Sequence, residues 1–547
     1  MHFWARERLD TQTKQRKARE ALVLCGRMYQ HIDDKSMHDW AFERRIWSHL
    51  EMSRLSLMEL PNHFEQARGV FQATSQIGCM YVDHRFDSQA GNLFELLFEG
   101  QQELLGDDHL DTLQTVHNMA IVFDNQGEYS KALEWYQRSL DGHQETLGKD
   151  HPSTLDTVNN MANVFESQGE YSKALEWYQK ALDGCEKTLG KDHPSTLDTV
   201  NNMANVFDSQ GEYSKALELY QKALDGREKT LGKDHLSTLN TVNNMANVFD
   251  SQGKYSKALE WYQRALDGRE KALGKDHPST LDAVHNKANM FNSQGEYSKA
   301  IGWYQRALDG YEKTLGKDHP STLDTIHNMA IVFKRQGEYS TALKWYQRAL
   351  DGFEKALGKD HPSTLGTVHN MANVFNSQAE HSRALEWYQR ALDGYEKTLG
   401  KDHPFTLDTI HNMAAVFDSQ GEYSKALERY QMALDGREKA LGKDHPSALD
   451  TVHNMAAVFD RQGEYSKALE WYPRALDGRE KALGKDHPST LATVHSMATV
   501  FDSQGSDPKA LEWYQRALDG FETVLGKDHP DTLTLAKVVE TLLPLST

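Results

Sequence analysis

The pentapeptide Leu-Gly-Lys-Asp-His occurs ten times, with its glycine at 148, 190, 232, 274, 316, 358, 400, 442, 484 and 526, always 42 residues apart. A unit of that length is too short to enclose a core of its own, so copies in tandem must bury their apolar faces against one another. The chain of 547 residues is therefore not read as a string of independent globular domains. Recurrence also decides what the pentapeptide does. A catalytic or phosphate loop is needed once, whereas a turn between elements is needed in every unit. The alternatives fail on spacing as well. A phosphate loop needs Gly-x-x-x-x-Gly-Lys followed by a hydroxyl, but five residues separate Gly184 from Gly190, and Asp192 stands at the hydroxyl position. His277 and His285 lie about 12 Å apart along a helix, too far to share a zinc ion.

One unit, His151 to Asp192, reads as two helices. Pro152 suits a first turn, and Ser153 and Asp156 place acceptors and negative charge near that end. Leu155, Val158, Met161, Ala162 and Phe165 recur at helical spacing and define helix A. Ser167-Gln168-Gly169 breaks it, with glycine available for the positive φ of a helix stop. Helix B follows with Tyr171, Ala174, Leu175, Tyr178, Ala181, Leu182 and Leu189 on one broad stripe, ending at Gly190.

Met161-Ala162 with Phe165, then Gly169, Tyr171, Ala174, Tyr178 and Ala181, resemble the signature of the tetratricopeptide repeat family. The 42-residue period, the long helix B and the Gly-Lys-Asp-His-Pro turn are similar to the kinesin light chain subtype and to the repeat arrays of fungal NLR-like proteins. The resemblance spans roughly residues 67 to 547. It implies an all-α fold, a right-handed superhelical α-solenoid of stacked helix-turn-helix repeats. The expected organisation is a flexible N-terminus (1–20), a helical cap (21–66), a degenerate repeat (67–108), ten repeats (109–528) and a capping helix (529–547).

Composition narrows the function. The formal charge is -19, whereas nucleic-acid binding requires a basic stripe, so no nucleic acid is expected. No apolar run is long enough to span a bilayer, and no membrane association is expected. The first twenty residues lack an apolar signal core, and Cys25, Cys79 and Cys185 are odd in number and scattered. A cytoplasmic, disulfide-free protein is the expectation. No nucleophile, base or metal set stands outside the repeat pattern, so neither catalysis nor a cofactor is expected.

Comparison between copies exposes departures. Lys287 replaces a core methionine, Ala379 and His381 replace the turn glycine and tyrosine, and Pro473 enters the middle of a helix B. A kink or fraying is predicted near Trp471 to Leu476. A glycine follows seven residues after each helix B tryptophan, as Gly184 follows Trp177; it is expected to make room for an indole.

In the family, A helices line a concave groove that takes extended peptides or partner helices. Carried over, one groove slot holds Asn118, Asn160, Asn202, Asn244, Asn286, Asn328, Asn370, Asn412 and Asn454, and a second, three residues on, holds Asn163, Asn205, Asn247, Asn289 and Asn373. Such amides can pair with both sides of a peptide bond, or they can bridge neighbouring A helices. The preceding slot carries His117, His285, His327, His369, His411, His453 and His495, either as polar filler or as groups that charge near pH 6.5. Asp156, Asp198, Asp282 and Asp324 occupy the slots where chaperone-adaptor members hold a carboxylate with Lys or Arg, so a neutral or basic protein or peptide is the expected partner. Two further readings follow from the resemblance. One is the sensor half of an NLR-like receptor lacking its nucleotide-binding domain. The other is a kinesin light chain-like cargo adaptor, although residues 1 to 66 hold no sustained heptads.

Overall fold

A computed structural model describes residues 68–83, 85–527 and 530–542; the expectations for residues 1–67, 528–529 and 543–547 lie outside these. Every element is an α-helix, 23 among the described residues. In order they are α1 (Arg68–Asp83), α2 (Asp87–Leu105), α3 (Leu110–Asn125), α4 (Tyr129–Leu147), α5 (Pro152–Ser167), α6 (Tyr171–Thr188), α7 (Pro194–Ser209), α8 (Tyr213–Thr230), α9 (Leu236–Ser251), α10 (Tyr255–Leu273), α11 (Pro278–Ser293) and α12 (Tyr297–Thr314). There follow α13 (Pro320–Arg335), α14 (Tyr339–Ala356), α15 (Pro362–Ser377), α16 (His381–Thr398), α17 (Pro404–Ser419), α18 (Tyr423–Leu441), α19 (Pro446–Arg461), α20 (Tyr465–Ala482), α21 (Pro488–Ser503), α22 (Asp507–Leu525) and α23 (Pro530–Leu542). Odd helices are A and even helices B, and the whole is an all-α solenoid.

The turns follow from their residues. The A helices from α3 to α21 are each capped by the histidine that ends the preceding turn: the Ser153 amide donates to His151 Nδ1 at 3.2 Å, and Ser195 to His193 likewise. The cap is thus the histidine, one residue before the proline, and not the Ser153 or Asp156 that helix patterning suggests. Gly169 ends α5 at φ +73°, with its amide on the Glu166 carbonyl at 2.8 Å. Ala379 keeps the same turn at φ 59°, so a small side chain is tolerated there.

Packing crosses unit boundaries, as stacking requires. Tyr178 and Leu182 of α6 share one buried cluster with Val200, Met203 and Val206 of α7 in the next unit. The glycine inside helix B serves a different neighbour from the one expected. A Cβ at Gly184 would fall inside van der Waals contact of Leu155 in the partner helix A, not of an indole. The same interlock recurs from Gly142 with Leu113 to Gly520 with Leu491. It lets the two helices approach closely over a large aliphatic side chain. Trp177 instead leans on Phe165, with ring centroids 6.0 Å apart.

Pro473 does not break its helix. α20 runs through it, and Tyr472, Ala475 and Leu476 stay buried. Packing on both sides holds the backbone helical despite the missing N–H. Lys287 is buried at 6% exposure, where its ammonium donates to Gln263 Oε1 at 2.5 Å and sits 4.0 Å above the Trp303 ring. At the C-terminal end Leu535, Val539 and Leu542 of α23 cover the last cluster.

Contacts also join units far apart in sequence. His361 Nε2 donates to the Asn125 carbonyl at 3.3 Å, His403 to that of Ser167 at 2.9 Å, and His445 to that of Ser209 at 2.9 Å. His361 is the equivalent of His109 six units on, so the solenoid coils back on itself after about six repeats and successive coils touch. In these rings the cap fixes Nδ1 as acceptor, which leaves the proton on Nε2 for the second coil.

Candidate partner-binding groove

The A-helix histidines and asparagines are brought together in a ladder that runs from unit to unit. His285 Nδ1 lies 3.1 Å from Thr325 Oγ1 in the next A helix. The threonine spends its hydrogen on the Ser321 carbonyl at 2.9 Å, so Nδ1 is the donor, and Nε2 accepts from Asn328 at 2.9 Å. His327 repeats this with Thr367 and Asn370, and His369 with Thr409 and Asn412. His411 meets Asn454 at 3.0 Å and Arg437 at 3.1 Å. Burial pushes His285, His327 and His369 down to about 4, and burial with the Arg437 charge takes His411 to about 3. These rings stay neutral where a free imidazole titrates, which favours polar filler, the first of the two alternatives, over groups that charge near pH 6.5.

The asparagines are half-buried apart from Asn118, which is buried. In the first slot Asn160 donates to His117 at 3.1 Å, Asn286 to Asn243 at 3.3 Å, and Asn202 and Asn244 to Asn163 and Asn205, each at 3.3 Å. In the second slot Asn163, Asn205, Asn247, Asn289 and Asn373 each accept the hydroxyl of the buried helix B tyrosine in their own unit. Bridging between helices is therefore present throughout. It does not exhaust the amides, because Oδ1 of Asn328 and Asn412 has no partner among the described residues. One bond orients each of these half-buried side chains and leaves its carbonyl able to accept another.

A second pairing was invisible to helix patterning. The residue after the helix B glycine reaches the acidic slot 29 positions earlier: Arg227 pairs with Asp198, Arg437 with Asp408, Arg479 with Asp450, and Tyr311 donates to Asp282. Where the acid is Asn240, Arg269 donates to it at 2.6 Å. The signal was available in the sequence, since this position changes from copy to copy while the glycine before it is constant and the residue after it is glutamate in every copy but that of Gln144. The pairing is absent from the end units and from three others: Cys185 faces Asp156, which lies 3.4 Å from His117 Nε2 instead, and in two consecutive units Phe353 faces Asp324 and Tyr395 faces Gly366. A cavity of about 330 Å³ opens there between α13, α15 and α17.

No group of three His, Cys, Asp or Glu residues able to hold a metal occurs among the described residues, and none of the described helices is long and apolar enough to cross a membrane.

Comparison with solved structures finds similar repeats. The nearly identical TPR-like repeats of a candidate kinesin light chain from Podosopora anserina are 25% identical, with a TM-score of 0.31 over 37% of this chain and 96% of that one. BtubC (BKLC) from P. vanneervenii is 19% identical, with a TM-score of 0.34 over 43% of this chain and 92% of that one. A Rap protein complexed with competence and sporulation factor is 14% identical, with a TM-score of 0.47 over 68% of this chain and 98% of that one. Curated proteins give no match. The tetratricopeptide repeat profile matches ten overlapping segments, the first 88–145 and the last 447–523. On that coverage the chain belongs to the tetratricopeptide repeat family.

Proposed function

We propose that the array is a non-catalytic scaffold that holds an extended protein or peptide segment along the surface lined by its A helices. The observation that supports this best is the column of asparagine amides, each oriented by a neighbour yet keeping an unpaired carbonyl at Asn328 and Asn412. Such groups read peptide backbone and tolerate side-chain variety. The partner is neutral to basic, because the chain carries a formal charge of -19 and several groove carboxylates are left without a cation. The setting is cytoplasmic, in keeping with Cys79 and Cys185 as free thiols, the former pushed by burial up to about 11 and so unreactive. The receptor-sensor and cargo-adaptor readings place this same binding activity in a larger assembly, and no residue of the groove favours either.

The test is affinity capture with the full chain, compared with a variant in which Asn328, Asn370 and Asn412 are changed to Ala. Loss of captured proteins, in a variant whose helicity and melting are close to those of the parent, supports the groove. An unchanged set of captured proteins places binding elsewhere and sinks the reading.

A further inference from the structure

At the cavity between α13, α15 and α17 two consecutive units depart from the pairing of helix B with the acidic slot. In the units of Asp198, Asp408 and Asp450 the acidic slot receives an arginine from helix B, and in the unit of Asp282 it receives a tyrosine hydroxyl. At Asp324 the helix B residue is Phe353, which can do neither. One unit on, Tyr395 keeps its hydroxyl but faces Gly366; a Cβ there would lie 3.5 Å from that oxygen. Neither the Asp324 carboxylate nor the Tyr395 hydroxyl has a hydrogen-bond partner among the described residues. A third departure adds a wall. Phe405 stands where most other units have serine, its ring 5.7 Å from that of Tyr395, and it is 48% exposed.

We propose that this cavity receives the guanidinium of an arginine supplied by a partner segment lying in the groove, an inference that rests on the groove being the binding surface. The chemistry of the array itself identifies the occupant. A guanidinium is what this aspartate takes in three other units, and here the internal one has been replaced by an aromatic ring. An incoming arginine supplies the missing charge to Asp324, donates to the Tyr395 oxygen, and stacks on the exposed ring of Phe405, a face suited to a planar cation. Burial pushes Asp324 up to about 6, against the opposing charge of Arg85 and with the support of Asp282. Arg85 comes from the coil before; it is a rival for the site, but its side chain is 46% exposed and lies 3.9 Å from Asp87. The carboxylate is thus under-compensated, the condition in which a cation from outside gains most. The other acid on the wall, Asp408, is already paired with Arg437.

The experiment uses the full chain and two fluorescein-labelled pentapeptides, Ala-Ala-Arg-Ala-Ala and the same peptide with citrulline, which keeps the shape and loses the charge. Anisotropy at about physiological ionic strength suppresses unspecific attraction to the acidic surface. The expected result is a preference of about tenfold or more for arginine. Phe353→Arg rebuilds the pair seen between Arg227 and Asp198, and Phe405→Ser restores the residue of the other units. Both have precedent in this fold, and both are expected to abolish the preference, as is Asp324→Asn; Asp393→Asn, on the exposed face, is expected to keep it. Equal binding of the two peptides, or a preference that survives Phe353→Arg and Phe405→Ser, overturns the proposal. If asparagine-dependent capture persists in that case, only the pocket falls; if such capture is absent as well, the groove reading falls with it.

Discussion

The imidazole of His403 donates to the carbonyl of Ser167 at 2.9 Å, 236 residues away in sequence, while its other nitrogen caps α17 by accepting the Phe405 amide at 3.1 Å. One neutral ring therefore starts a helix and fastens two coils of the solenoid. Beside it Gly169 lies against Pro404, so closely that a Cβ would come within 2.7 Å of the proline Cδ.

Gly169→Ala is expected to destabilise by about 2 to 4 kcal/mol, from a side chain at positive φ and from overpacking between coils. Gly463→Ala, at φ +76° with nothing within 4 Å, is expected to cost only the backbone part, about 1 kcal/mol. Thermal melting separates the two, and small-angle scattering is expected to show a longer particle for the first alone. Equal losses would show that the coil contact contributes nothing in solution.

Gly184→Ala is expected to cost about 1 to 3 kcal/mol despite the higher helix propensity of alanine, because Leu155 fills the space. Adding Leu155→Val should recover part of that loss. A double-mutant cycle by chemical denaturation measures the coupling; an additive result would refute the interlock.

Pro473→Gln, the residue of the neighbouring units, is expected to stabilise by up to about 3 kcal/mol through the restored helical hydrogen bond. The structure predicts no change in helix content by circular dichroism, since α20 is already continuous. A rise in helicity would mean that the proline frays the helix after all.

The groove histidines make a prediction about acid. His285, His327 and His369 have folded pKa values of about 4 against 6.5 unperturbed. Between those values the unfolded chain binds more protons, so their contribution falls as pH drops from 6.5 towards 4 and is fully present above 6.5. The expected loss is on the order of 2 kcal/mol per histidine, discounted for partial exposure. Changing all three to Asn, as Asn201 and Asn243 occur naturally, is expected to flatten the decline in melting temperature from pH 7 to 4.5. A decline identical to that of the parent would refute it.

Much of this molecule was legible in one dimension. A 42-residue period with apolar positions at helical spacing leaves a chain little choice but paired helices stacked into a solenoid, because no unit can hide its own face. The turn glycines and the small alanines carry that information locally. Other features depended on distances that no local pattern contains. Gly184 serves Leu155 and not an indole because the crossing of α5 and α6 decides which side chain arrives there. The histidines are neutral because the next A helix removes water from them and presents Thr325 and Asn328. The missing partner of Asp324 became visible only when helix B of the same unit was seen to supply one elsewhere, and the coil contact of His403 with Ser167 depends on the small rotation per repeat summed over six copies. Periodicity determines which surfaces must meet their neighbours; the curvature that accumulates through packing decides which residues meet across the turns and where a cavity remains.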